Sequence, residues 1–213
     1  MTVRPAEPGA DGRVLTVAAF GRELLGRRRD RSARPTVVGL DGRSAAGKTT
    51  LADRLAAVLP HAVVVRTDDV AWHHSFFDWT DLLREGVLLP ARGLAEVAYR
   101  PPAWVARDRD GAVRVPTGTR VVLVEGVGAT RRELADQLDV RVWLDTDAAT
   151  TARREAGRVA AGTTDAELSR RWLAAEEVFL ADQRPWEHAD VVVAGAATAA
   201  VGPDEVVVRP APR

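Results

Sequence analysis

Gly42-Arg43-Ser44-Ala45-Ala46-Gly47-Lys48-Thr49 decides the reading of this chain. It fits G-x-x-x-x-G-K-[ST] at every fixed position. Glycines let the backbone fold tightly, so that successive N–H groups converge on one anion. A helix opening at Lys48 adds the positive end of its dipole. Lys48 supplies a cation for β- and γ-phosphate oxygens, and the Thr49 hydroxyl suits Mg²⁺. The phosphate-binding set is therefore Gly42, Arg43, Ser44, Ala45, Ala46, Gly47, Lys48, Thr49 and Thr50.

The flanks agree with this. Thr36-Val37-Val38-Gly39-Leu40 reads as a buried strand before the loop, and Thr49 to Leu59 as a helix stopped by Pro60. Ala62 to Arg66 is a second strand and runs into Thr67-Asp68-Asp69. Arg120 to Glu125 is a third, ending in a carboxylate followed by Gly126. Val140 to Leu144 and Val191 to Val193 read as further strands, with Glu205 to Val208 a short sixth. Helices are expected over Val14 to Leu25, Ala148 to Ala160 and Asp165 to Asp182. Apolar strands alternating with helices predict a three-layer α/β/α P-loop NTPase fold with a mainly parallel sheet of about five strands.

Residues 1–12, rich in Pro, Gly and Ala, read as a loose tail, and 13–213 as one domain. Arg27, Arg28, Arg29 and Arg31 read as a solvated helix end. Residues 67–118 read as an irregular, substrate-facing insertion with one short helix near Thr80 to Arg84. The chain has 213 residues, 30 basic against 30 acidic, which gives no basic excess for a nucleic-acid partner. It has no cysteine, which excludes disulfides and cysteine-ligated zinc. No apolar run suggests a signal peptide or membrane span, so a cytoplasmic protein is expected.

Carboxylates at the carboxyl ends of strands in an open α/β sheet sit beside the ligand crevice. Asp68 and Asp69 are candidates for accepting a hydroxyl proton and for organising Mg²⁺, and Glu125 for Mg²⁺ or its water shell. Trp72, His73, His74, Phe76, Phe77 and Trp79 crowd after Asp68, either to line a ligand site or to pack the insertion. His73-His74 has no ligand trio at zinc spacing. Trp172, Phe179, Trp186 and His188 read as core or adenine-pocket packing.

With these pieces in order, residues 36 to 195 resemble the uridine kinase, phosphoribulokinase and nicotinamide riboside kinase group of P-loop kinases. Leu40-Asp41-Gly42 to Lys48-Thr49-Thr50-Leu51-Ala52 is similar to the group's phosphate loop, and Val124-Glu125-Gly126-Val127 to its acidic third-strand segment. Thr67-Asp68-Asp69 is similar to the segment whose Asp, matching Asp68, is the general base. Asp145-Thr146-Asp147-Ala148 with Arg153, Arg154 and Arg158 resembles a lid, placed at about 150–168, whose arginines clamp the transferring phosphoryl group. Glu155 stands at the second paired-arginine position and Val159 at an Asp position, so Arg154 and Arg158 carry over and Arg153 only loosely. Ala189-Asp190-Val191-Val192-Val193 resembles the strand after the lid.

The resemblance implies an ATP- and Mg²⁺-dependent kinase acting on a hydroxyl of a nucleoside-like or other small metabolite. Asp68, Trp79, Tyr99, Arg100 and Trp104 are its acceptor candidates. Uridine kinases carry Tyr-Asp and then a His five residues after the Tyr; here Arg100 and Trp104 take the Asp and His positions. That turns the expectation toward an acceptor with a carboxylate or phosphate, which Arg grips bidentately. The alternatives are a P-loop NTPase or an ATP-binding regulatory protein without kinase activity. No Asn-Lys-x-Asp segment of a guanine-specific switch is present.

Overall fold

The computed structural model describes residues 12–28, 30, 32–195 and 202–211. The expected tail, apart from Gly12, and Arg29 and Arg31 of the basic run lie outside the described residues. The elements, in order, begin with β1 (Arg13–Thr16), α1 (Val17–Gly26), β2 (Thr36–Gly42), α2 (Lys48–Val58) and β3 (Ala62–Arg66). Then come α3 (Thr67–Val70), α4 (Thr80–Leu83), a π-helical turn (Arg84–Leu88), α5 (Leu89–Arg92), β4 (Val97–Tyr99), α6 (Pro102–Ala106) and β5 (Val113–Val115). β6 (Val121–Glu125), β7 (Val140–Asp145), α7 (Ala148–Ala160), α8 (Ala166–Gln183), β8 (Val191–Ala194) and β9 (Glu205–Pro210) complete the chain.

The main sheet has seven strands, in the order β1-β9-β8-β7-β2-β6-β3. The five from β8 to β3 are parallel, as expected for apolar strands covered on both faces. The expected count of about five falls short because β9 and β1 extend the sheet antiparallel beyond β8. The expected helix from Val14 is corrected by the same pairing. Val14 and Leu15 lie opposite Val207 and Val206 in the β1–β9 ladder. The helix starts only at Val17, where the Thr16 hydroxyl accepts the Ala19 N–H at 3.2 Å as an N-cap.

On one face of the sheet α1 and α2 bury Phe20, Leu24, Leu51 and Leu55 against Val38, Leu40, Leu123 and Val142. On the other face, Val37, Val65, Val122 and Val124 meet Trp79, Leu83, Val87, Leu88 and Trp104 from the insertion, while Trp143 and Val192 meet Leu180 of α8. The insertion is thus more ordered than its sequence suggested. Trp79, Leu83, Val87 and Ala91 follow a helical spacing, which Gly86 and Pro90 obscure, and β4 and β5 form an antiparallel hairpin around α6. Burial against the sheet, more than local propensity, holds these short pieces.

Two aspartates start the long helices over the crevice. Asp147 accepts the Thr150 N–H and Asp165 the Leu168 N–H, both at 2.8 Å. No helix among the described residues is long and apolar enough to cross a membrane.

Candidate phosphate-transfer site

The phosphate loop follows β2, whose carboxyl end lies between those of β6 and β7. The chain leaves β2 for β3 on one side and later returns to β7 on the other. Ligands of open α/β sheets bind at such a switch point. Ala45 (φ 57°) and Gly47 (φ 104°) turn the loop, and α2 opens at Lys48 with its free N–H groups at the loop.

Lys48 is buried and folds back so that Nζ donates to the Gly42 and Arg43 carbonyls, each at 2.8 Å. Burial pushes its ammonium below the usual lysine range, while the carboxylates of Asp41, Glu125, Glu176 and Asp68 pull the other way. Thr49 Oγ1 donates to Glu125 Oε1 at 3.1 Å, and Arg66 Nε lies 3.4 Å from the same oxygen. Burial raises the Glu125 carboxyl, opposed by Lys48. Gly126 after it has φ 148°, and a Cβ there would stand 1.7 Å from Thr67 Oγ1. That close approach brings the start of α3, and with it Asp68, beside Glu125.

Asp68 opens into a cavity of about 600 Å³ that it shares with Ser44 to Thr50, Glu125 and Arg158. Desolvation by the cavity walls pushes its carboxyl above the ordinary Asp range, Asp69 adds to this, and Lys48 opposes it. A second cavity, about 460 Å³, lies along the other flank of the loop. Leu51, Leu144, Val193 and Pro203 give it apolar walls, and Arg154 and Arg158 border it. Arg154 Nη1 donates to the Ala45 carbonyl at 2.9 Å. Among the described residues Arg153 reaches only Thr150, at 2.8 Å.

Other sequence candidates lie elsewhere. The Asp69 carboxylate turns to Arg109 at 2.7 Å, outside the cavity that holds Asp68. Arg109 lies over the Trp104 ring at 3.6 Å, and Trp104 Nε1 donates to the Asp69 carbonyl at 2.8 Å. Arg100 donates to the Arg109 carbonyl at 2.8 Å, and the Tyr99 ring lies against Gly86. Trp79 is 1% exposed, beneath the Arg131 guanidinium at 3.8 Å. None of Trp79, Tyr99, Arg100 and Trp104 lines the cavity; Trp72, His73, His74, Phe76 and Trp172 do.

Three residues at the site had no role assigned from sequence. Glu176 of α8 accepts the Ser44 N–H at 2.6 Å and so braces the phosphate loop from the far helix. Arg131 bonds the carbonyls of Gly128 and Phe77 and the Thr80 hydroxyl, tying the segment after β6 to the insertion. Burial lowers it to about 10. Asp41, wholly buried, accepts the N–H groups of Gly42, Gly128 and Thr130 and the Thr130 hydroxyl at 2.8–3.0 Å. Only the Asp41 position lay next to a motif, and each of the three takes at least one partner from a distant segment. Asp41→Ala leaves three buried N–H groups without their acceptor and is expected to cost about 3 kcal/mol or more in urea unfolding. A loss under about 1 kcal/mol would show that water replaces the carboxylate.

No family model and no curated protein matches the sequence. Solved structures do match, and they show a P-loop kinase-like α/β fold. One is described as a "putative fructose transport system kinase" from Silicibacter sp. TM1040, at 24% identity and TM-score 0.57 over 82% of this chain and 95% of that one. A second, a "possible uridine kinase" from Bacillus stearothermophilus, has 20% identity and TM-score 0.55, over 83% and 96%. The YGR205w protein has 11% identity and TM-score 0.51, over 92% and 99%.

Proposed function

We propose that the chain is an ATP-dependent kinase that transfers the γ-phosphoryl group to a hydroxyl of a small metabolite. The convergence of the phosphate loop and the Asp68 carboxylate on one cavity carries this reading. A hydrolytic switch needs a place for water; a cavity of about 600 Å³ beside a carboxylate has room for a metabolite.

ATP lies with its phosphates in the loop and its base in the second cavity, between Leu51, Leu144 and Val193. The acceptor lies in the first cavity with its hydroxyl at Asp68. The hydroxyl oxygen bonds to the γ-phosphorus as the bond to the β,γ-bridging oxygen breaks. The proton passes to Asp68, and ADP leaves. Lys48 and the loop N–H groups stabilise charge on the phosphate oxygens, and Arg154 and Arg158 approach from α7.

The residues present fit a magnesium ion carried with the nucleotide. Thr49 and Glu125 place two hard oxygens 3.1 Å apart beside the loop, and no group of three His, Cys, Asp or Glu among the described residues would hold a metal alone. When bound, the ion neutralises charge on β- and γ-phosphate oxygens. Glu125→Gln is expected to raise the Mg²⁺ concentration needed for half-maximal activity, because an amide holds the ion's water shell less strongly. Equal activity at every Mg²⁺ level would leave Glu125 as a partner of Thr49 and Arg66 only.

The direct test incubates the protein with ATP, Mg²⁺ and a panel of hydroxylated metabolites and reads phosphorylated products by mass spectrometry. ATP hydrolysis without any such product would favour the NTPase alternative.

A further inference from the structure

The first cavity divides by charge. Its carboxylates, among the described residues, are Asp68, Glu125 and Glu155. Asp68 and Glu125 face Lys48. Glu155 is held by the Ser169 hydroxyl at 2.8 Å and lies 3.5 Å from Arg158. At the outer end stand Arg171, His73 and His74, all exposed. Their side chains make no hydrogen bond or ion pair with any described residue, those three carboxylates included.

Two further observations mark this end as a built surface. The Phe76 and Trp172 rings meet at 5.1 Å, which sets the loop bearing His73 and His74 against the turn of α8 bearing Arg171. His73 has φ 52°, a left-handed conformation that costs a non-glycine residue free energy, and its ring packs edge-on to Trp72 at 4.4 Å. Arg171 also lines the first cavity only, whereas Arg158 borders both. Arg158 is thereby placed for the nucleotide phosphates and Arg171 for the other ligand.

We propose that the acceptor carries an anionic group, a carboxylate or a phosphate monoester, bound at the outer end of this cavity by Arg171 with His73 and His74. The anion sits at the end away from the hydroxyl presented to Asp68. This rests on the kinase reading and narrows it. The guanidinium offers two parallel N–H donors to either anion, and Trp72, Phe76 and Trp172 cover the carbon skeleton between.

The test uses three compounds with a shared polyol skeleton: D-ribose, D-ribonate and D-ribose 5-phosphate. Binding to the protein with ADP present is measured by calorimetry for the parent and for Arg171→Gln. Arg171 is exposed and unpaired, and glutamine is a good helix former, so the variant should fold. At least one anion is expected to bind about tenfold or more tightly than ribose, and the preference should fall to about threefold or less in the variant. Which anion gains more separates carboxylate from phosphate. Equal binding of all three, no binding by any, or a preference that survives Arg171→Gln would overturn the proposal.

The metabolite panel tests transfer separately. Arg171-dependent anion binding beside ATP hydrolysis that yields no phosphorylated product would keep the anion site and remove the kinase reading. Phosphorylation of neutral acceptors alone would do the reverse.

Discussion

Lys48→Ala is expected to abolish phosphoryl transfer. The loop N–H groups remain, but the Lys48 ammonium is gone, and charge grows on the phosphate oxygens as the bond breaks. Removing a single oxyanion donor from an enzyme site costs about 10²–10³ in rate, and a full charge at the leaving group should cost at least the upper value. The same ammonium donates to two loop carbonyls and sits among four carboxylates, so stability needs its own measurement. A thermal melt close to the parent with turnover near zero is the expected pair of results. Undiminished turnover would take the phosphate loop out of the mechanism.

Asp68→Asn is expected to lower kcat by ~10²-fold or more and to leave ATP affinity nearly intact. The amide keeps the shape and one acceptor oxygen but cannot take the proton. In a loose transition state the hydroxyl loses its proton late, so on the proposed mechanism the carboxylate would first orient the acceptor and then receive the proton. Only the ionised form can do this, so kcat should fall as pH drops through the Asp68 pKa. That pKa is raised by desolvation, so the acid limb should lie above the range of an ordinary Asp, near pH ~4. Asp69→Asn should act differently, through the Arg109 ion pair and the seating of α3. If Asp69→Asn loses turnover and Asp68→Asn does not, the roles are exchanged.

The parallel core was legible because each of its strands is a continuous apolar run, and because the loop and the two carboxylate-ended strands are local signals. Thr49, Asp68 and Glu125 lie within one or two residues of an element end that a single sequence can mark. What was not legible depends on distant partners. Val14 and Leu15 look helical until β9 supplies their hydrogen bonds. Tyr99, Arg100 and Trp104 pointed to the acceptor only through the resemblance to uridine kinases, and they pack the hairpin and Arg109, because the insertion needs its own core. Glu176 and Arg171 sit on α8 among many charged residues. Nothing in their neighbourhood tells which of those charges turns toward the loop or the cavity.

The antiparallel pair at the sheet margin imposes an order in time. β1 is the first of the described strands to be synthesised, and β9, the one strand among the described residues that pairs with it, is the last. Until β9 emerges, β1 has no ladder and the outer edge of β8 stands open. An unpaired edge of this kind invites pairing with another chain. The folding chain thus stays open to association until the β1–β9–β8 ladder closes, even once its parallel core, phosphate loop included, has formed.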